Sequence, residues 1–260
     1  MISPEEFLHE QDKKLTAKIF TDTPFRKWFD RLHAQGLDEV CDYVCDATFP
    51  QISRGSLPKM RDIACEKFDV TEFKLFTTRN YEREMQLFGY GKPAVLIPDS
   101  LLEADEEILQ ARLYAQAAAI SAGHHKLKFF IWAAENMSGI AGLPLVGQAL
   151  TALLYEWNRV RQFSLDRAVL LATGDFSLTL RNILYGVVQD DLLRNFKFGT
   201  DDDDFLAQTR RYFEHDEPTE YVGEIFGWFS DYSWLPRRYK ELRDFYDGRA
   251  CGEYSLRENF

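Results

Sequence analysis

The sequence predicts an α+β fold, mostly helical and built around one small sheet. Two observations carry this. The first 70 residues, and most of the chain after residue 100, read as helix, whereas residues 72–98 switch to strand-like alternation. Within that stretch the turn Gly89-Tyr90-Gly91 separates two short apolar runs, the pattern of a β-hairpin. No internal repeat or low-complexity linker divides the 260 residues, so a single domain over 1–260 is expected. With 45% hydrophobic and 15% aromatic residues, the chain has the material for a sizeable core.

In order, helices are expected over 19–34, 37–47 and 57–67, the last opening after Ser56. Phe73, Leu75 and Thr77 alternate with polar neighbours and predict a strand. Residues 85–88 and 93–97 form the arms of the hairpin, and Pro98-Asp99-Ser100 ends the second arm. A helix over about 103–122 follows. A hydrophobic helical hairpin then occupies about 127–172, bent at Gly142-Leu143-Pro144, and further helices fill 176–250, the last opened by Pro236.

Charge and leader signals narrow the function classes. Thirty-one Lys+Arg against 42 Asp+Glu give a net charge of −11, with a pI near 5.0. Such a surface repels phosphate backbones, so no nucleic-acid partner is expected. The acidic opening lacks a basic and an apolar leader region, and four cysteines do not make a disulfide scaffold, so a cytoplasmic location is expected. Residues 137–155 carry no charge over 19 positions, but only 12 of these are apolar, with Gly139, Gly142, Pro144 and Gly147 among the interruptions. A buried hairpin is the preferred reading; membrane contact through 129–154 is the alternative.

Residue types that carry chemistry are sparse. His124 and His125 are adjacent, so on a helix they diverge by about 100° and do not chelate one ion without other groups. One packed and one exposed histidine at a helix C-terminus is the expectation, and a metal site built from them with nearby carboxylates the alternative. Cys41 and Cys45 share a helix face at i, i+4, without a Cys-x-x-Cys knuckle, and read as small buried hydrophobes. Asp201 to Asp204 read as a solvated loop or helix start rather than a calcium loop. No Gly-x-Ser-x-Gly elbow or signature Ser/His/Asp set is present, and Gly89-Tyr90-Gly91-Lys92-Pro93 lacks the spacing of a phosphate loop.

Three separated blocks, in order, resemble the HtpX/CAAX-prenyl-protease family of zinc metallopeptidases. The run Ala115-Gln116-Ala117-Ala118-Ala119-Ile120-Ser121-Ala122-Gly123-His124 falls on that family's H-E-x-x-H helix and keeps its Ile120 and Gly123-His124 tail. Trp157, Arg159, Ser164, Asp166 and Arg167 match the family's W-x-R-x-x-E-x-S-A-D-R block. Arg238, Glu241 and Leu242 match a C-terminal T-H-P-x-x-x-x-R-x-x-E-L pattern. The resemblance implies a zincin-like, gluzincin-type fold over about residues 25–254. By the same alignment the zinc histidines are replaced by Ala115 and Ala119, the general-base glutamate by Gln116, the third ligand by Gln162 and the C-terminal His by Tyr232.

Alanine offers no lone pair, and a neutral amide is a weak ligand beside imidazole or carboxylate. Without zinc nothing activates the attacking water, and glutamine cannot take its proton. The implied protein is a degenerate, catalytically inactive member without cofactor, acting as a binding or regulatory module for an unknown protein or peptide. The resemblance places an edge strand beside the degenerate helix, so a peptide is expected to pair with residues 85–88 or 94–97, near Leu87, Phe88, Val95 and Leu96. The aromatic group Phe226, Trp228, Phe229 and Trp234 is a second possible contact. Asp166, Trp157 and Arg159 read as scaffold. The alternative is a zinc-dependent endopeptidase, or other hydrolase, with a relocated metal at His124 and His125.

Overall fold

The computed structural model describes residues 1–22, 34, 36–79, 84–137, 148–187 and 235–257. They fall into two compact units, 1–174 and 175–260. The fold is predominantly helical with one small mixed sheet, the class the sequence predicts.

The first unit begins with α1 (Pro4–Phe7) and α2 (Glu10–Asp22). Ser3 starts α1 through its backbone N–H, which donates to Glu6 Oε2 at 2.8 Å, and Pro4 occupies the first turn, where its missing N–H costs nothing. Helix α2 begins at Glu10, nine residues before the expected start at Ile19. The run Glu10-Gln11-Asp12-Lys13-Lys14 reads as solvated, yet Asp12 is buried, so the inward face carries a carboxylate where an apolar residue is the usual signal. The N-terminus is tied down by Ile2 N–H donating to Lys67 O at 2.8 Å and by Phe7 standing edge-on to Phe68.

Helices α3 (Leu37–Thr48) and α4 (Ser56–Phe68) follow close to expectation, then strands β1 (Lys74–Thr78), β2 (Gln86–Phe88) and β3 (Ala94–Pro98). Strands β2 and β3 form the expected antiparallel hairpin, with Leu87 opposite Val95. Gly89 has φ 97°, and a Cβ there would strike the Lys92 carbonyl, which is why glycine opens this turn. Strand β1 joins the other side of β3 in parallel, Leu75 opposite Val95, so the order is β1-β3-β2 and β3 is buried along its whole length. The outer side of β1 is taken up by residues 50–52: Thr77 N–H donates to Pro50 O at 2.9 Å and Ile52 N–H to Leu75 O at 2.8 Å.

After a 3-10 turn at Asp99–Glu103 come α5 (Glu106–Ser121), α6 (His124–Met137) and α7 (Gln148–Thr173). The 3-10 turn explains why α5 starts three residues later than expected. Helix α5 packs against α4 and α7, and α2 lies along α7. Trp157, Phe129, Leu127, Leu154, Ile19 and Cys41 form one core cluster; each large apolar side chain fully buried there contributes about 1.5–3 kcal/mol. Lys67 Nζ donates to Ala172 O at 2.6 Å, placing a cation on the last turn of α7. The hairpin bend at Gly142-Leu143-Pro144 and the Asp201–Asp204 run lie outside the described residues. Among the described residues no helix is long and apolar enough to cross a membrane.

The second unit holds α8 (Phe176–Val187) and α9 (Leu235–Arg257). Asp175 caps α8 by accepting Leu178 N–H at 2.9 Å. The two helices meet through Phe176, whose ring contacts Tyr239 and Tyr246, with the Arg243 guanidinium over it.

Candidate functional site

Helices α5 and α7 pack side by side and carry the positions at which the resemblance replaces ligands. Ala119 is buried and Ala115 and Gln116 are half-buried on α5; Gln162 is half-buried on α7. Tyr232 lies outside the described residues, as do Phe226, Trp228, Phe229 and Trp234. Among the described residues no group of three or more His, Cys, Asp or Glu side chains is placed to hold a metal ion.

The two histidines differ from expectation. They open α6 at its N-terminus instead of closing a helix, and both are buried, His124 at 1% and His125 at 6% exposure. The helix ends at Ser121, close to the expected end near 122, but the chain turns at Gly123, φ 75°, and the next helix starts at His124, ahead of the expected start near 127, so it takes in both histidines. The side chains serve separate partners: His124 Nε2 lies 3.1 Å from Asp12 Oδ2, and His125 meets the Tyr90 backbone. They do not converge on one point, as a relocated metal at His124 and His125 requires.

Asp12 is the centre of a polar cluster with no sequence signature. Its Oδ1 accepts Trp157 Nε1–H at 3.0 Å and Thr16 Oγ1–H at 3.1 Å. Its Oδ2 accepts Ser164 Oγ–H at 2.5 Å and faces His124 Nε2. Ser164 Oγ in turn accepts His9 N–H at 3.0 Å, and Trp157 stands edge-on to the His124 ring. Burial pushes the Asp12 carboxyl up, but hydrogen bonds and attraction from His124, with hydrogen bonds from Ser164 and Thr16, more than offset this and hold it below the usual range.

Although Asp, His and Ser meet here, the arrangement does not activate a nucleophile. Ser164 donates to Asp12, so His124 is not positioned to take its proton, and Asp12 and Ser164 are 0% exposed. The cluster instead joins α2, α6 and α7. Trp157 fits the scaffold role read from the sequence, and Arg159 is turned to an ion pair with Glu156. Asp166 is buried.

A second cluster clamps the hairpin turn. Asp38, on the first turn of α3, accepts Gly91 N–H at 2.6 Å, and a Cβ at Gly91 would collide with that carboxylate. Burial, then Lys126 and His124, lower the His125 pKa to about 4, against weaker opposing effects of the Tyr90 backbone and Asp38. Burial, with nearby Asp38, Cys45 and Asp42, pushes the Cys41 thiol up to about 12; burial also raises Cys45 and Cys65 to about 11. These are protonated thiols packed as hydrophobes, unready as nucleophiles or ligands.

The expected peptide-pairing residues are largely consumed by the fold. Val95 and Leu96 lie on β3, whose two sides are already paired with β1 and β2, so residues 94–97 take no further strand. Leu87 is buried and Phe88 packs edge-on against Phe129 at 5.4 Å, so on β2 these side chains face the core.

No family model matches this chain, and no curated protein or solved structure is significantly similar to it.

Proposed function

We propose that the chain is a catalytically inactive, metallopeptidase-like module that acts by binding a protein or peptide. The observation that supports this reading is the packing of α5 on α7, which carries Ala115, Gln116, Ala119 and Gln162 on two adjoining helices with no imidazole or carboxylate at any of the four positions. In the resembling family those positions supply two histidines, a glutamate ligand and a general base. At these four positions the exchange for alanine and amide keeps the helices packed without a carboxylate or imidazole that would need a metal or a hydrogen-bond partner there.

The test uses fluorescein-labelled β-casein as an unfolded polypeptide probe, with the full chain in zinc-containing buffer. Saturable binding by anisotropy with no cleavage on a gel is the expected result. Turnover of the casein, or no binding at all, contradicts the proposal.

A further inference from the structure

Helix α3 presents two different faces. Its inner side is used by the fold: Cys41 and Cys45 are buried in core clusters, and Asp38 holds Gly91. Its outer side carries Val40, Tyr43, Val44 and Ala47, an i, i+3, i+4, i+7 stripe. Val40 is 58%, Tyr43 73% and Val44 40% exposed. Of the eight large hydrophobics that are exposed among the described residues, three stand on these two turns, so the stripe is a patch and not scatter.

Acidic residues edge the stripe on one side. At about 100° per residue the four apolar positions fill one arc, and Glu39, Asp42 and Asp46 fill the arc beside it. Lys74 Nζ spans Asp42 at 2.7 Å and Asp46 at 2.9 Å. Three carboxylates against one ammonium leave the edge negative, on a chain of net charge −11. A second copy would set like charge against like charge there, whereas a cationic partner gains attraction.

We infer that the outer face of α3 docks an amphipathic helix of a partner protein, one whose apolar stripe is edged on one side by lysine or arginine. The apolar residues fit the groove-and-ridge contact of two helices, and the carboxylate row sets the orientation of the partner's basic edge. This inference stands independently of the peptidase-like reading, because α3 carries none of the positions on which that reading rests.

The experiment measures, with the full chain at physiological salt, binding of a labelled leucine–lysine helical peptide of about 18 residues whose lysines edge a leucine stripe. Tyr43→Asp with Val44→Asp is expected to weaken binding by about tenfold or more. Glu39→Lys is expected to weaken it by a few fold and to flatten its salt dependence. Tyr155→Asp, on an exposed residue of α7, is expected to leave it unchanged. Helical circular dichroism of each variant checks that the chain is folded. Equal binding to all variants, equal binding of a charge-matched peptide with scrambled leucines, or a solution dimer that Val40→Asp dissociates overturns the inference.

Discussion

Asp12 Oδ2 and His124 Nε2 lie 3.1 Å apart in the core, although they stand 112 positions apart in the chain, and both side chains are essentially inaccessible. This pair, with Ser164 and Trp157, fastens the N-terminal helix α2 to α6 and α7. Removing the carboxylate takes the acceptor from the Ser164 hydroxyl and the countercharge from the His124 imidazole, and leaves Trp157 Nε1–H with Thr16 Oγ1, at 2.9 Å, as its remaining acceptor.

Asp12→Ala is therefore expected to destabilise the chain by about 3 kcal/mol or more, since breaking a buried polar or ionic pair from one side costs about that much. Ser164→Ala, which removes one donor to Asp12 and one acceptor of His9, should cost about 1–2 kcal/mol. Urea denaturation measures both, and a double-mutant cycle with His124→Ala should return a sizeable coupling energy. Additive effects contradict a single cluster.

Stability is expected to fall on acidification in two stages. His125 has a folded pKa of about 4 against an ordinary 6.5, so the unfolded chain binds more protons in that window and folding weakens as pH falls through it. The full effect is about 3 kcal/mol, complete by about pH 4. Asp12 behaves in the carboxylate sense: its contribution is present above 3.8 and is lost as pH falls through its lower folded value. His125→Asn should remove most of the pH dependence between 6.5 and 4, as read from urea midpoints at several pH values.

Gly91→Ala is expected to cost about 1–3 kcal/mol, because its Cβ displaces the Asp38 carboxylate that accepts the Gly91 N–H. Asp38→Asn keeps the side-chain shape and an acceptor oxygen, and should cost less. Thermal unfolding of the two variants separates steric from hydrogen-bonding loss.

Cys41, Cys45 and Cys65 should resist Ellman's reagent in the native chain and react on unfolding, because burial holds them protonated. Rapid native labelling at any of the three contradicts the packed-thiol reading.

The local parts of the fold were legible in the sequence. The hairpin at Gly89, the strand at Leu75 and helices α3, α4 and α5 follow from alternation, periodicity and turn residues within short windows. Two N-terminal features were also written there but are easy to misread. Ser3-Pro4-Glu5-Glu6 is a helix-start signature as well as an acidic opening, and Asp12 with Thr16 and Ile19 marks a helix face that happens to bury a carboxylate. Ala115, Gln116, Ala119 and Gln162 stand out in the sequence only through the resemblance, as alanine and amide at positions where that family carries ligands and a base. The cluster around Asp12 was not legible, since its members come from helices far apart in the chain and no spacing rule joins Asp12, His124 and Ser164. The end of the helix near residue 122 is legible in the sequence, whereas the start of the next helix at His124 is not, because the turn at Gly123 takes a positive φ that the sequence allows without compelling. The pairing of β1 with β3 depends on a parallel crossover that short-range patterns do not encode.

The most direct measurement of the central proposal is zinc content after equilibration and desalting, taken on the native chain and on a variant carrying Ala115→His, Gln116→Glu, Ala119→His and Gln162→Glu. If α5 and α7 are a metallopeptidase-like pair stripped of its ligands, the native chain should retain below about 0.1 zinc and the restored variant close to one. A native chain holding close to one zinc, or a folded restored variant holding none, contradicts the account.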